Sequence, residues 1–286
     1  ARERGIPRVY TAHDYFPVCH RYPLLRPDLT HCDVRGDARA CARCDLALSH
    51  LNQQPDLGDY QMGVLPAQLA PGAWARLEGL LADRLGEHGV APEEFEPLHA
   101  ERRTLDRLRA EAFARMDLVL APSRYLLAEL ERGGLERERL AHQEIGFACA
   151  DLAAVPPLAR ARGRAVRFAF LGGLSKHKGV HVLLEAFSRV PRGAELAVWG
   201  HSSDRAYVEL LRARCGAVGA QWRGPYERAD LARILAEVDA LVVPSIWVEN
   251  WPLVIHEGFA ARRPVLASRL GALSECVKDG ENGLLF

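Results

Sequence analysis

From residue 166 to the last residue, short apolar runs alternate with stretches whose apolar residues recur at helical spacing. Few folds accept that rhythm. Val166–Leu171 (VRFAFL) runs into Gly172-Gly173, as a buried strand ending in a tight turn does. Val182, Leu183, Ala186, Phe187 and Val190 then share one helix face. Further strands are expected at 195–199, 240–243, 264–268 and 283–286, and helices at 207–214, 229–237, 252–261 and 273–277. Strands separated by helices of this length mean a parallel sheet covered on both faces, an α/β fold.

The first half is less regular. Residues 7–12 read as a strand running into His13-Asp14, and 118–121 as another. Helices are expected at 74–85 and 99–116, with an acidic, Pro-containing linker at 86–97 between them. Ser123 caps a helix through Leu130 that ends at Gly133-Gly134. Residues 15–60, rich in Pro, Asp, Arg and Cys, form a long loop region, which in a compact domain points to function or a bound metal. With 286 residues the chain suits two domains. The division expected is 1–152, a Pro- and Arg-rich linker at 153–165, and 166–286.

Three features of the second half converge on one place. Gly172, Gly173, Lys176, Lys178 and Gly179 lie in the turn after the first strand, where free N–H groups and a helix N-terminus can hold an anion. Read blandly, it is a plain strand–helix turn with solvated lysines. Glu249 precedes Pro252, which suits a first helical position, and Glu257 follows in the second turn. Both carboxylates are expected to face one crevice at the carboxyl end of strand 240–243, where ligands of open parallel sheets bind. Each can accept hydrogen bonds from sugar or ribose hydroxyls; the alternative is a surface acid plus an acid complementing the helix dipole. Gly271–Glu275 (GALSE), capped by Ser274, adds a small-residue turn beside the same crevice.

The runs SKHKGVHVLLEAF (175–187), PSIWVENWPLVIHEGFAARRPVLAS (244–268) and GALSECVKDGENGLLF (271–286) resemble the carboxyl-terminal domain of retaining GT-B glycosyltransferases of family 4. Glu249 and Glu257 match that family's E-x7-E signature. In the first half, TAHDYFPVC (11–19), APSRYLLAEL (121–130) and EIGFACAD (144–151) resemble its segments more loosely. The resemblance implies two Rossmann-like domains with parallel sheets facing a cleft, cut at both ends of this chain. It also implies a nucleotide-diphosphate sugar donor (UDP-, GDP- or ADP-linked) on the second domain and a glycan, lipid-linked or small-molecule acceptor on the first. By the same resemblance Lys178 neutralises the diphosphate, Glu249 binds sugar hydroxyls and Glu257 the ribose. Gly172, Gly173, Asn250, Trp251 and the N–H groups of Leu253 and Val254 complete the donor contacts, and His13 approaches the donor sugar. Two departures stand out. Gly173 lies where many relatives have Arg, and Arg262 occupies a helix-ending position where relatives commonly have Gly, at about 1 kcal/mol if that residue is left-handed.

Cys19, Cys32, Cys41 and Cys44 crowd one irregular region, with Cys41 and Cys44 as a C-x2-C pair. Four thiolates could close a structural zinc site; two disulfides or free thiols are the other readings, and His20 or His31 could replace a thiolate. Asp-x-Asp is missing from the sequence, so a catalytic metal is not expected. The chain has 37 basic and 37 acidic residues, without the electrostatic attraction that nucleic-acid binding needs. No apolar run approaches the roughly 20 residues of a membrane span, and nothing at the start reads as a signal peptide, so a cytoplasmic enzyme is expected. The basic runs 102–109 and 160–167 allow a peripheral membrane contact. Competing functions are a catalytically inactive nucleotide-sugar or glycan-binding module, or another GT-B enzyme such as a phosphorylase or epimerase.

Overall fold

The computed structural model describes residues 5–20, 24–26, 31–33, 36–52, 92–158, 163–191 and 193–286. The helix expected at 74–85 lies outside them. The chain divides into two compact units, Ala1–Glu144 and Ile145–Phe286.

In the first unit three parallel strands lie in the order β1 (Val9–Thr11), β2 (Leu118–Ala121), β3 (Leu140–His142). Two helices of the unit depart from expectation. Helix α1 (Ala38–Asn52) occupies the supposed loop: Asp37 Oδ1 accepts from the N–H groups of Arg39 and Ala40, and Ala42, Leu46 and Ala47 are buried. Helix α2 (Pro92–Phe113) takes in half of the supposed acidic linker. Proline suits its first position and Glu93 and Glu94 its N-terminal dipole, and the helix continues through Pro97. Helix α3 (Arg124–Arg132) is capped by Ser123 Oγ, which accepts from Leu126 N–H at 3.1 Å, and ends at Gly133.

The second unit begins earlier than the sequence division at 152. Short helix α4 (Ala150–Ala153) buries Leu152 in this unit's core together with Val155. Arg262 donates to Val155 O, and the buried Arg263 donates to Pro156 O, Leu235 O and Ala261 O. Residues 145–158 are thus held as part of the second unit rather than as a linker.

From there the chain alternates β4 (Val166–Leu171), α5 (Val180–Phe187), β5 (Ala194–Trp199), α6 (Arg205–Val218), β6 (Gln221–Gly224), α7 (Leu231–Ala236), β7 (Ala240–Val243), α8 (Leu253–Ala260), β8 (Val265–Ala267), α9 (Leu273–Cys276) and β9 (Gly283–Leu285). All six strands are parallel, in the order β6-β5-β4-β7-β8-β9. That order is the doubly wound one, and the direction of winding reverses between β4 and β7. One core layer packs Leu184, Tyr207 and Leu211 under α5 and α6. The other packs Ile234, Ile255 and Leu273 under α7, α8 and α9. Arg262 has φ +56°, the left-handed conformation expected there to favour glycine.

Candidate functional site

The chain leaving β4 and the chain leaving β7 meet where the winding reverses. Gly172 turns out of β4 with φ +153°, a conformation side chains disfavour. Leu174 then anchors the turn, its side chain buried and its N–H on His201 O at 2.9 Å. A 3-10 turn at Lys176–Lys178 closes on Gly179, whose φ of +71° precedes α5. A Cβ on Gly179 would stand 1.9 Å from Pro244 O, so only glycine lets this turn press onto the chain after β7. The N–H of Ile246 donates to His177 O at 2.9 Å and joins the two segments.

That contact brings Lys178 to Glu249. Lys178 Nζ lies 2.7 Å from Glu249 Oε1, and Ser245 Oγ donates to the same oxygen at 2.6 Å. Glu249 is 4% exposed. Lys178 Nζ also sits 5.3 Å from the ring centroid of Trp247, whose ring meets His177 edge-on at 4.9 Å. Burial and then the neighbouring Lys178 ammonium push the His177 pKa below its usual value, against Glu249, which favours its charged form. That shift favours the neutral imidazole.

Asn250 is buried, and Trp251 stacks on His256 at 4.2 Å, with His256 Nε2 3.5 Å from Cys276 Sγ. Pro252 occupies the N-cap of α8, one place before the first helical residue where the sequence put it. It provides no side-chain cap, so the first-turn N–H groups at the exposed Leu253 and half-buried Val254 are not claimed by one. The GALSE turn differs too. Ala272, not Ser274, is the N-cap of α9, because Ser274 N–H already donates to Gly271 O.

Glu257 has a separate set of neighbours. Burial raises its carboxyl pKa; the Arg228 guanidinium opposes that rise and Asp151 adds to it. Arg228 pairs with both oxygens of Asp151 at 2.8 and 3.0 Å and donates to Ala148 O. Burial first, and then the Glu257 charge, push the Tyr226 phenol to about 12. Glu249 answers to Lys178 and Ser245, whereas Glu257 answers to Arg228, Asp151 and Tyr226. Gly173 is exposed, with open space where a side chain would project. Lys176, a candidate to replace the missing arginine, is half-buried; burial lowers its pKa, against Asp204.

Sequence reasoning missed Ser245, Trp247, Tyr226 and Arg228. Ser245, four residues before Glu249, had a positional signal. Arg228 had none, because its partner Asp151 is 77 positions away.

In the first unit His13 is exposed in the bend after β1. Cys19, Cys32, Cys41 and Cys44 are half-buried and form no disulfide. Burial first, then Asp106 and the other three thiols, drive the Cys41 pKa to about 12, so the four are electrostatic neighbours. His20 Nε2 lies 2.7 Å from Asp45 Oδ1, and Arg102 holds the other oxygen at 2.9 Å, so that nitrogen is not open to replace a thiolate. Among the described residues no group of three or more His, Cys, Asp or Glu side chains is arranged to grip an ion. Nor is any helix among them long and apolar enough to cross a membrane.

Residues 165–286 match the family described as glycosyl transferases group 1. A D-inositol 3-phosphate glycosyltransferase of Corynebacterium diphtheriae is 33% identical over 127 residues, covering 41% of this chain and 30% of that protein. A glycogen synthase of Mycobacterium tuberculosis is 30% identical over 119 residues, covering 40% and 28%. The match thus spans less than a third of each of these curated relatives. The Anabaena protein HepE in complex with UDP-glucose has a TM-score of 0.54 at 22% identity, covering 68% of this chain and 55% of that one. The lipopolysaccharide outer core galactosyltransferase WaaB has a TM-score of 0.51 at 18% identity, covering 87% and 66%. The expected α/β fold with parallel sheets, of the GT-B glycosyltransferase type, holds.

Proposed function

We propose that this chain is a family 4 glycosyltransferase of hexosyltransferase type, moving a sugar from a nucleotide-diphosphate donor to a glycan, lipid-linked or small-molecule acceptor with retention of configuration. The observation that carries the reading is the Lys178–Glu249–Ser245 cluster at the reversal of winding, where open parallel sheets take their ligands. HepE, alike in fold, holds UDP-glucose, a donor of the proposed class.

In this reading the charge to stabilise is that of the departing diphosphate. Lys178 and the first-turn N–H groups of Leu253 and Val254 face it, preorganised and partly shielded from water. Glu249 accepts from sugar hydroxyls and Glu257 from the ribose. The two neighbour sets then suit the two hydroxyl-bearing ends of one ligand, with the diphosphate between them. The sugar–oxygen bond to the diphosphate breaks with its electron pair on the phosphate oxygen. The acceptor oxygen forms its bond on the same face and its proton passes to that phosphate oxygen. Catalysis needs no metal in this scheme, and the paired-carboxylate chemistry of glycoside hydrolases is not invoked. His13 is proposed as a contact to the donor sugar.

A thermal-shift screen of UDP-, GDP- and ADP-sugars tests the reading. One nucleotide should stabilise the protein, and the shift should vanish in Glu257→Ala and Lys178→Ala. The open space at Gly173 favours a second reading, a nucleotide-sugar-binding module with half its cationic clamp missing. Stabilisation without any sugar transfer or donor hydrolysis would select it.

A further inference from the structure

Lysine is scarce in this chain. Lys176, Lys178 and Lys278 are the only three, against a combined Lys and Arg count of 37. Two of the three stand in the turn that meets Glu249. A lysine offers a compact charge on a flexible four-carbon stem, so its use as a fixed cation depends on what surrounds its tip. Here two groups do. One is Glu249 Oε1 at 2.7 Å; the other is the Trp247 ring, its centroid 5.3 Å from Nζ and inside the roughly 6 Å range of a cation–π contact.

These two contacts differ in what a ligand does to them. Glu249 also takes the Ser245 hydroxyl, and its carboxylate is the acceptor any hydroxyl-bearing ligand would compete for. The ring face has no lone pair for a ligand to claim. Trp247 itself is held firmly. It is 9% exposed, it meets His177 edge-on, and the Ile246 N–H just before it is bonded to His177 O. Its own Nε1 is buried without a hydrogen-bond partner among the described residues. Leaving a buried donor unmatched costs about 1–3 kcal/mol.

We propose that Trp247 is a positioning residue that holds the Lys178 ammonium against its ring face, keeping the lysine aimed at an anionic ligand when Glu249 turns to that ligand's hydroxyls. This rests on the donor-site reading above for its functional consequence, though not for its geometry. The test has two arms. With only three lysines, reductive methylation with 13C-formaldehyde gives side-chain signals that Lys→Arg variants assign, and the charge is kept. The Lys178 methyl signal should be shifted upfield by the ring, remain so in Trp247→Phe, and lose the shift in Trp247→Leu. In titrations with UDP, GDP and ADP in turn, Trp247→Leu should weaken binding about tenfold, as expected for a partly desolvated cation–π contact. It should add less than twofold on top of Lys178→Ala. A Lys178 signal indifferent to Trp247→Leu, or effects of the two substitutions that multiply, would overturn the proposal. If wild type binds none of the three nucleotides, the donor reading fails and the methyl signal still decides the positioning. Should Trp247→Leu not fold, Trp247→Met, which fills more of the space without a ring, replaces it.

Discussion

The two units treat their candidate functional residues in opposite ways. In the second, each sits on the turn or the helix that follows a buried parallel strand, and the strands fix where that turn can go. In the first, His13, Cys19 and Cys32 lie between β1 and α1, where the described chain has one isolated bridge, Leu25 to His31, while Cys41 and Cys44 ride on α1 itself. A site set by strand register is positioned by the backbone itself. A site set by pairing, such as His20–Asp45–Arg102, exists only once distant side chains have met.

The largest effect at stake lies in the first unit. Four thiolates on one zinc would contribute on the order of 10 kcal/mol to ordering the cysteine segment. The described side chains are not gathered into such a grip, so purified, reduced protein should carry less than one zinc per chain; one zinc per chain, with hydrogen-exchange protection in α1 lost on chelation, would overturn that. Substoichiometric zinc discards the site and leaves the segment resting on Asp45 and its partners.

Next comes the frame of the second unit. Arg263→Met removes the donor from Leu235 O, Ala261 O and Pro156 O in a buried setting, and should destabilise by about 3 kcal/mol. A shift in urea midpoint at unchanged slope measures it. A loss under 1 kcal/mol would mean that residues 145–158 are not fastened there, and the contrast between the units would blur.

A smaller effect separates Glu249 from Glu257. Burial raises the Glu257 pKa, so its ionised form is penalised in the folded protein. The stability linked to this group is therefore full at low pH and lost as pH rises through the folded value. Its acceptor role runs the other way, since ribose hydroxyls need the carboxylate. Nucleotide affinity should fall on acidification, starting at a higher pH than an ordinary glutamate would give. Glu257→Gln should flatten that step. A pH-independent affinity in wild type would remove Glu257 from the ligand.

What the sequence revealed follows the same division. Strands 118–121, 166–171 and 240–243 were legible to the residue, because a buried parallel strand is a continuous apolar run. The edge strand Gln221–Gly224 was not, because only its last residue is buried and it carries no such run. Helix α1 was hidden by its cysteines and by a proline-rich approach. Glu249 and Lys178 could be named from spacing and resemblance. Their contact could not, since it depends on Gly179 admitting Pro244 O, a backbone approach without a pattern of its own. Trp247 reads as an apolar residue in an apolar run until the lysine above it is seen.

The most direct test of the Lys178–Glu249 corner is the release of nucleoside diphosphate from UDP-, GDP- and ADP-sugars by wild type and by Lys178→Ala. Wild type should release it from at least one donor, and the substitution should slow that release about 100-fold, the usual effect of losing one preorganised charge-stabilising group. Equal rates in the two proteins, or no release from any of the three donors, would contradict the account.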